Sequence, residues 1–204
     1  MTTLYLIRHA QALPLPGQDE PDWALSPVGE RQARALVPVL AGLGLQRLYC
    51  SPYRRCRDTL APYARHAGID VAVDDGLRER RIAGAWLNDF RDFWRRSWAD
   101  FAYALDGGES SQLCRDRIAA AVTRIAARHP SETIGLGSHG NSIGLFMNFV
   151  DPAFGVREAS DIRTPDILKV VQAGDGFTWQ RDFAAGPEFD ELATDFRETP
   201  GFLA

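Results

Sequence analysis

Two of the four histidines in the chain, His9 and His139, each directly follow a short apolar, β-rich run: Thr3-Leu-Tyr-Leu-Ile-Arg8 and Thr133-Ile-Gly-Leu-Gly-Ser138. In open α/β sheets, ligands bind beyond the carboxyl ends of strands, where the following helices present free N–H groups and positive dipole ends. Both imidazoles therefore fall at the expected mouth of a sheet. Arginine is abundant around them. Of 23 basic residues only Lys169 is lysine, and Arg54/Arg55/Arg57, Arg78/Arg80/Arg81 and Arg91/Arg95/Arg96 form clusters besides Arg8. A guanidinium donates two parallel hydrogen bonds to an oxyanion and keeps its charge near neutral pH, which suits it to phosphate. Two or three such groups suffice for a site, and most of the others belong on solvated helix faces. His66 and His129 sit at helix ends and read as capping or surface groups.

The elements that must position these residues alternate. The first run reads as a buried strand, and a Pro/Gly-rich loop over 13–22 follows. Ser26-Pro27-Val28-Gly29-Glu30 begins a helix, with Ser as N-cap and Pro at the first helical position, that should end near Gly42 or Gly44. A strand near Gln46 to Cys50 leads to Ser51-Pro52 and a helix to about His66; a short strand follows near Val71 to Val73. Trp86, Phe90, Phe93, Trp94, Trp98, Phe101 and Tyr103 then recur at helical spacing, predicting either a core-facing stripe or a lid lining a pocket. A helix from Glu109 or Ser110 to Arg128 comes next, stopped by His129-Pro130. Behind His139 lies an apolar helix from Ile143 to Val150. Strands over Ile167 to Gln172 and Phe177 to Phe183 flank the hairpin signal Ala173-Gly174-Asp175-Gly176. This order predicts an α/β three-layer sandwich with a largely parallel mixed sheet and helices on both faces.

With 204 residues, one domain over 1–204 is expected. Hydrophobic residues at 45% and charged residues at 25% exclude disordered, collagenous and coiled-coil classes. The net charge of −4 removes the global electrostatic case for nucleic acid or anionic membrane. No apolar run approaches the roughly 20 residues of a bilayer span, and the start shows no signal pattern, so a cytoplasmic protein is expected. Cys50, Cys56 and Cys114 lack metal-ligand spacing and read as free thiols.

Six segments together resemble the histidine phosphatase superfamily, also called phosphoglycerate-mutase-like, in that family's order over about residues 3 to 171. They are Leu6-Ile7-Arg8-His9-Ala10, Leu25-Ser-Pro-Val-Gly-Glu-Arg-Gln-Ala33, Ser51-Pro-Tyr-Arg-Arg-Cys-Arg-Asp-Thr59, Leu77-Arg78-Glu79, Gly108-Glu109-Ser110 and Ser138-His139-Gly140-Asn141-Ser142. The resemblance implies a helical cap inserted at about 77–113 and no metal or other cofactor. It implies that His9 attacks phosphorus and carries the phosphoryl group. Arg8, Arg55, His139 and the backbone N–H of Asn141 would bind that group, and Glu79 would protonate the leaving oxygen. Glu109 would support the site or cap a helix.

Departures from the pattern bear on the activity. Ala10 replaces the usual Gly, Ala12-Leu13-Pro14-Leu15 stand where mutases carry phosphate-binding Ser and Asn, and Gly144 replaces a frequent Arg. Metal-independent hydrolysis of phosphate monoesters is therefore expected ahead of a phosphoglycerate-type mutase or a non-catalytic phospho-ligand binder. Metal hydrolase chemistry on His9 and His139 lacks a third ligand with diagnostic spacing. The expected partner is a phosphorylated small molecule, a phosphoprotein being the other option; a monomer and a homodimer are both compatible with the sequence.

Overall fold

Leu4 to Ile7, the centre of β1 (Thr2–Arg8), are buried without exception. A strand covered on both faces gains nothing from polar alternation, which is why this run is continuously apolar. The computed structural model describes residues 1–15, 17–83 and 89–195. Within them β1, β2 (Arg47–Cys50), β3 (Val71–Val73), β4 (Thr133–Ser138), β5 (Asp166–Ala173) and β6 (Gly176–Trp179) form one sheet in the order β3-β2-β4-β1-β5-β6. The first four strands in that order run parallel, whereas β5 is antiparallel to β1 and β6 to β5. This is the α/β mixed sheet, largely parallel, that the alternating pattern predicts.

Side-chain alternation along β1 builds a core on each face. Leu4 and Leu6 join Ile118, Val122 and Ile125 of α4 (Ser111–Arg128) and Ile143, Phe146 and Met147 of α5 (Gly140–Val150). Tyr5 and Ile7 face Leu36 and Leu40 of α1 (Pro27–Gly42) and Cys56, Leu60 and Tyr63 of α2 (Arg54–Ala67). Ser26 caps α1 by accepting from Gly29 N at 3.0 Å. A Cβ on Gly29 would lie 2.0 Å from the Gln11 carbonyl oxygen, so only glycine lets this first turn rest on the loop behind β1. No helix among the described residues is long and apolar enough to cross a membrane.

The aromatic segment is less regular than its spacing suggests. A helix, α3, spans only Phe90–Ala99, with Asp89 as N-cap accepting from Asp92 N. Phe101 and Tyr103 lie beyond its end, and Trp86 lies outside the described residues. Phe93 is buried, while Trp94 and Trp98 pack against the core on the α5 side, and Trp94 Nε1 donates to Ser160 Oγ at 3.3 Å. These three side chains serve packing, as the core-stripe reading predicts. Two short helices, α6 (Val156–Ser160) and α7 (Pro187–Leu192), have no clear sequence signal. The β6 strand ends at Trp179, short of the expected Phe183.

Candidate active site

Parallel pairing of β1 with β4 places Arg8 opposite Ser138. His9 and His139 consequently leave the sheet at the same level, their ring centroids 5.1 Å apart at 63°. The turn behind His9 is pinned from both neighbouring helices. Ala10 N donates to Thr59 Oγ1 at 2.9 Å, Gln11 N to Gln32 Oε1 at 2.9 Å, and Ser26 N to the Gln11 carbonyl at 2.9 Å. Gln32 is in turn bonded to the carbonyls of Thr164 and Leu192, which ties the last described segment to the same turn.

The hydrogen bonds of His9 fix its tautomer. Nδ1 lies 2.7 Å from the carbonyl oxygen of Ala10, which can only accept, and Nε2 lies 3.2 Å from Arg55 Nε, which can only donate. The proton therefore resides on Nδ1, and Nε2 presents a lone pair. Burial holds the His9 pKa well below 6.5, assisted by the Arg55 and Arg8 charges and opposed by the Ala10 carbonyl. A neutral imidazole with a bare Nε2 beside two guanidiniums is a nucleophile poised for an anionic electrophile.

Arg55, 3% exposed, extends from the first turn of α2 against the rings of Tyr53 and Trp23, with its guanidinium carbon 5.0 and 5.5 Å from their centroids. Nη1 donates to the Glu20 carbonyl at 2.9 Å and Nη2 to Glu20 Oε1 at 2.7 Å. Sequence reasoning missed Glu20. Its only signal is an acidic turn, Asp19-Glu20-Pro21-Asp22, inside an otherwise apolar loop. Arg8 donates through Nη1 to the Ile162 carbonyl at 2.7 Å, and burial draws its pKa down to about 10 against the raising influence of Glu79 and Asp166. A Cβ on Gly140 would sit 3.0 Å from the Arg8 guanidinium carbon, so the glycine lets α5 begin directly against this cation.

His139 is fully buried, with Nε2 2.8 Å from Ser51 Oγ and 3.4 Å from Cys56 Sγ. Burial, and then Arg55, His9 and Arg8, hold its pKa well below 6.5. Burial also raises the Cys56 thiol well above 9, leaving it protonated and a poor nucleophile. Glu79 lies over the start of α5. Its Oε1 accepts from Ser142 N at 3.0 Å, Ser142 Oγ at 3.1 Å and Arg80 N at 2.8 Å, and its Oε2 from Asn141 N at 3.3 Å. The Asn141 N–H thus serves the carboxylate in this state. By satisfying the free amides of the first turn, the carboxylate explains why α5 begins at Gly140, three residues before the apolar run.

The structure brings His9, Arg8, Arg55, His139, Glu79 and Asn141 to one end of the sheet, and it sorts the remaining charges. Glu109 neither caps α4, a task Ser110 performs, nor bonds to either histidine; it pairs with Arg117 at 2.7 Å and Arg78 at 3.1 Å. Arg80, 1% exposed, donates to the carbonyls of Glu109 and Tyr103 and to Ser111 Oγ, clamping 103–111 beside Phe93. Arg54 pairs with Asp58 on the surface. Among the described residues no group of three His, Cys, Asp or Glu side chains is placed to hold a metal ion.

A pH dependence of stability follows. His9 and His139 are neutral in the fold but take up protons near pH ~6.5 once unfolded, so below that value the unfolded chain binds more protons. Their contribution is complete above about pH 6.5 and is lost as the pH falls towards their depressed folded values. A melting temperature that declines more steeply below about pH 6.5 in the native chain than in a His9→Gln/His139→Gln variant is expected. Parallel declines would contradict the assignment.

The sequence model of the histidine phosphatase superfamily (branch 1) matches residues 4–166. The chain is 27% identical over 163 residues to proteins named probable phosphoglycerate mutase GpmB of Salmonella paratyphi B and Salmonella newport, covering 74% of this chain and 75% of theirs. Its fold is similar to that of mycobacterial glucosyl-3-phosphoglycerate phosphatase with inorganic phosphate, with a TM-score of 0.72 at 21% identity over 92% of this chain and 98% of that one. Phosphoserine phosphatase from Entamoeba histolytica with 3-phosphoglyceric acid gives 0.73 at 18% identity, over 93% and 100%. Bacillus stearothermophilus YhfR gives 0.71 at 23% identity, over 91% and 99%.

Proposed function

Because this chain belongs to the histidine phosphatase superfamily (branch 1), we propose that it hydrolyses phosphate monoesters of small molecules through a phosphohistidine at Nε2 of His9. The observation that carries this reading is the His9 tautomer. The Ala10 carbonyl occupies the Nδ1 proton, and Nε2 keeps its lone pair beside Arg55 and Arg8. In the first step Nε2 forms a bond to phosphorus while the bond to the ester oxygen breaks. Arg8 and Arg55 offset charge on the transferring oxygens, where phosphoryl transfer is most readily assisted, and neutral His139 is a further hydrogen-bond donor. The N–H of Asn141, shared with Glu79, adds a donor at the same helix end. Glu79, in its protonated form when the ester is bound, gives that proton to the leaving oxygen and is left as the carboxylate. In the second step water attacks phosphorus, Glu79 accepts its proton, and the N–P electron pair returns to Nε2.

Hydrolysis is favoured over isomerisation by the loop after His9. A mutase must hold its phosphorylated substrate for a second transfer, and 12–15 place only Ala, Leu, Pro and Leu where further donors would help. The mutase reading retains support from the 27% identity to relatives named phosphoglycerate mutase. Three buried, unpaired thiols suit a reducing compartment, and we assign the protein to the cytoplasm.

The direct test is phosphate release from a panel of phosphomonoesters in the presence of a chelator. Sustained release from at least one small ester is expected. Absence of release from every ester, together with bisphosphate-primed isomerisation of a phosphoglycerate, would overturn hydrolysis in favour of the mutase.

A further inference from the structure

The Glu20 side chain is not needed to place Arg55. Tyr53 and Trp23 both lie against the guanidinium, the Glu20 main-chain oxygen holds Nη1 at 2.9 Å, and Nε is directed at His9 Nε2 at 3.2 Å. The Glu20 carboxylate adds a charge-assisted contact at 2.7 Å to the remaining Nη2. It thus neutralises the cation that a phosphoryl group at His9 would engage. With a phosphate dianion between Arg8 and Arg55, the two positive charges would be matched by the dianion alone, leaving Glu20 as an uncompensated anion facing another. The carboxylate also has a route away from the site. Glu20 is 30% exposed, and Gly17, Gln18, Asp19, Pro21 and Asp22 around it are exposed. The loop is fixed at its base, through the Ala12–Leu25 bridge and the Leu13 N to Ala24 O bond.

We propose that Glu20 is a built-in competitor for Arg55, a partly exposed carboxylate that occupies the guanidinium in the resting enzyme and swings away when the substrate's phosphoryl dianion displaces it, the Glu20 main chain staying on Arg55. Its return to Arg55 after hydrolysis expels inorganic phosphate, so Glu20 sets the affinity for phosphate and the readiness of product release. This inference rests on the reading of His9, Arg8 and Arg55 as a phosphoryl site. It separates Glu20 from a positioning residue by sign: loss of a positioning contact weakens phosphate binding, whereas loss of a competitor tightens it.

The test is calorimetric titration of the intact protein with inorganic phosphate and with orthovanadate, comparing wild type, Glu20→Gln, Glu20→Ala and Asp22→Asn. Glu20→Gln keeps the shape and removes the charge, and it is expected to bind phosphate about tenfold more tightly, with phosphate a correspondingly stronger product inhibitor. Glu20→Ala should shift in the same direction. Asp22→Asn, on the same turn with an exposed side chain, should leave the affinity unchanged and so excludes a general charge effect. Unchanged or weaker phosphate binding in both Glu20 variants, with wild type binding normally, would overturn the competitor while sparing the phosphoryl site. Failure of every variant and of wild type to bind either anion would overturn both.

Discussion

His9→Ala is expected to lower phosphomonoester turnover by about 10⁴-fold or more, with phosphate affinity and melting temperature close to wild type. The size of the loss follows from the absence of a substitute. Nε2 of His9 is the one ring nitrogen whose lone pair is exposed to Arg55, and the nearest thiol, Cys56, stays protonated through burial. His139 cannot take over the attack, because its Nε2 lies between Ser51 Oγ and Cys56 Sγ. Binding should survive because Arg8 keeps the Ile162 carbonyl, and Arg55 loses only its 3.2 Å contact to His9 Nε2 while keeping those to Glu20, Tyr53 and Trp23. Steady-state kinetics with calorimetric phosphate titration checks both halves. A loss below about tenfold would remove His9 as the nucleophile.

Glu79→Gln is expected to reduce turnover by about 10²- to 10³-fold for alkyl phosphates, whose leaving alkoxide needs a proton, and far less for aryl phosphates with acidic phenols. The carboxylate also accepts from Asn141 N and Ser142 N at the start of α5, so the variant should lose about 1 kcal/mol of stability as well. The two roles separate by leaving group. A purely structural Glu79 would depress all esters alike, and a chemical one steepens the dependence of rate on the acidity of the leaving alcohol. A uniform loss would assign Glu79 to the helix start alone.

The site was legible where it depends on position along a strand, and hidden where it depends on loops meeting across the fold. Arg8-His9 and Ser138-His139 stand at the ends of runs whose apolar composition marks buried strands, and parallel pairing necessarily brings such ends together. Ser26 and Pro27 marked the start of α1 because capping and the proline φ are local. Glu20 carried no such mark. Its partner, Arg55, is 35 residues away, and a Pro/Gly-rich loop has no periodicity from which to infer its path. Arg78 and Arg80 look equivalent in sequence, yet one is paired with Asp75 and Glu109 while the other is buried among carbonyls. Burial at that scale is set by the segment that folds over it, not by neighbours in the chain. The extent of α3 was overestimated for a related reason: aromatic spacing continues past Ala99, but Asp100 turns the chain and accepts from Ala102 N.

The central claim is that the phosphoryl group passes through Nε2 of His9, and trapping the phosphoenzyme tests it most directly. Rapid acid-free quenching during turnover, followed by phosphorus NMR and peptide mass spectrometry of the labelled chain, identifies both the residue and the ring nitrogen. An acid-labile, base-stable phosphoryl group on His9, attached at Nε2 because Nδ1 is committed to the Ala10 carbonyl, is the predicted result. Label on another residue, or full turnover with no covalent phosphoryl group formed at His9, would contradict the account.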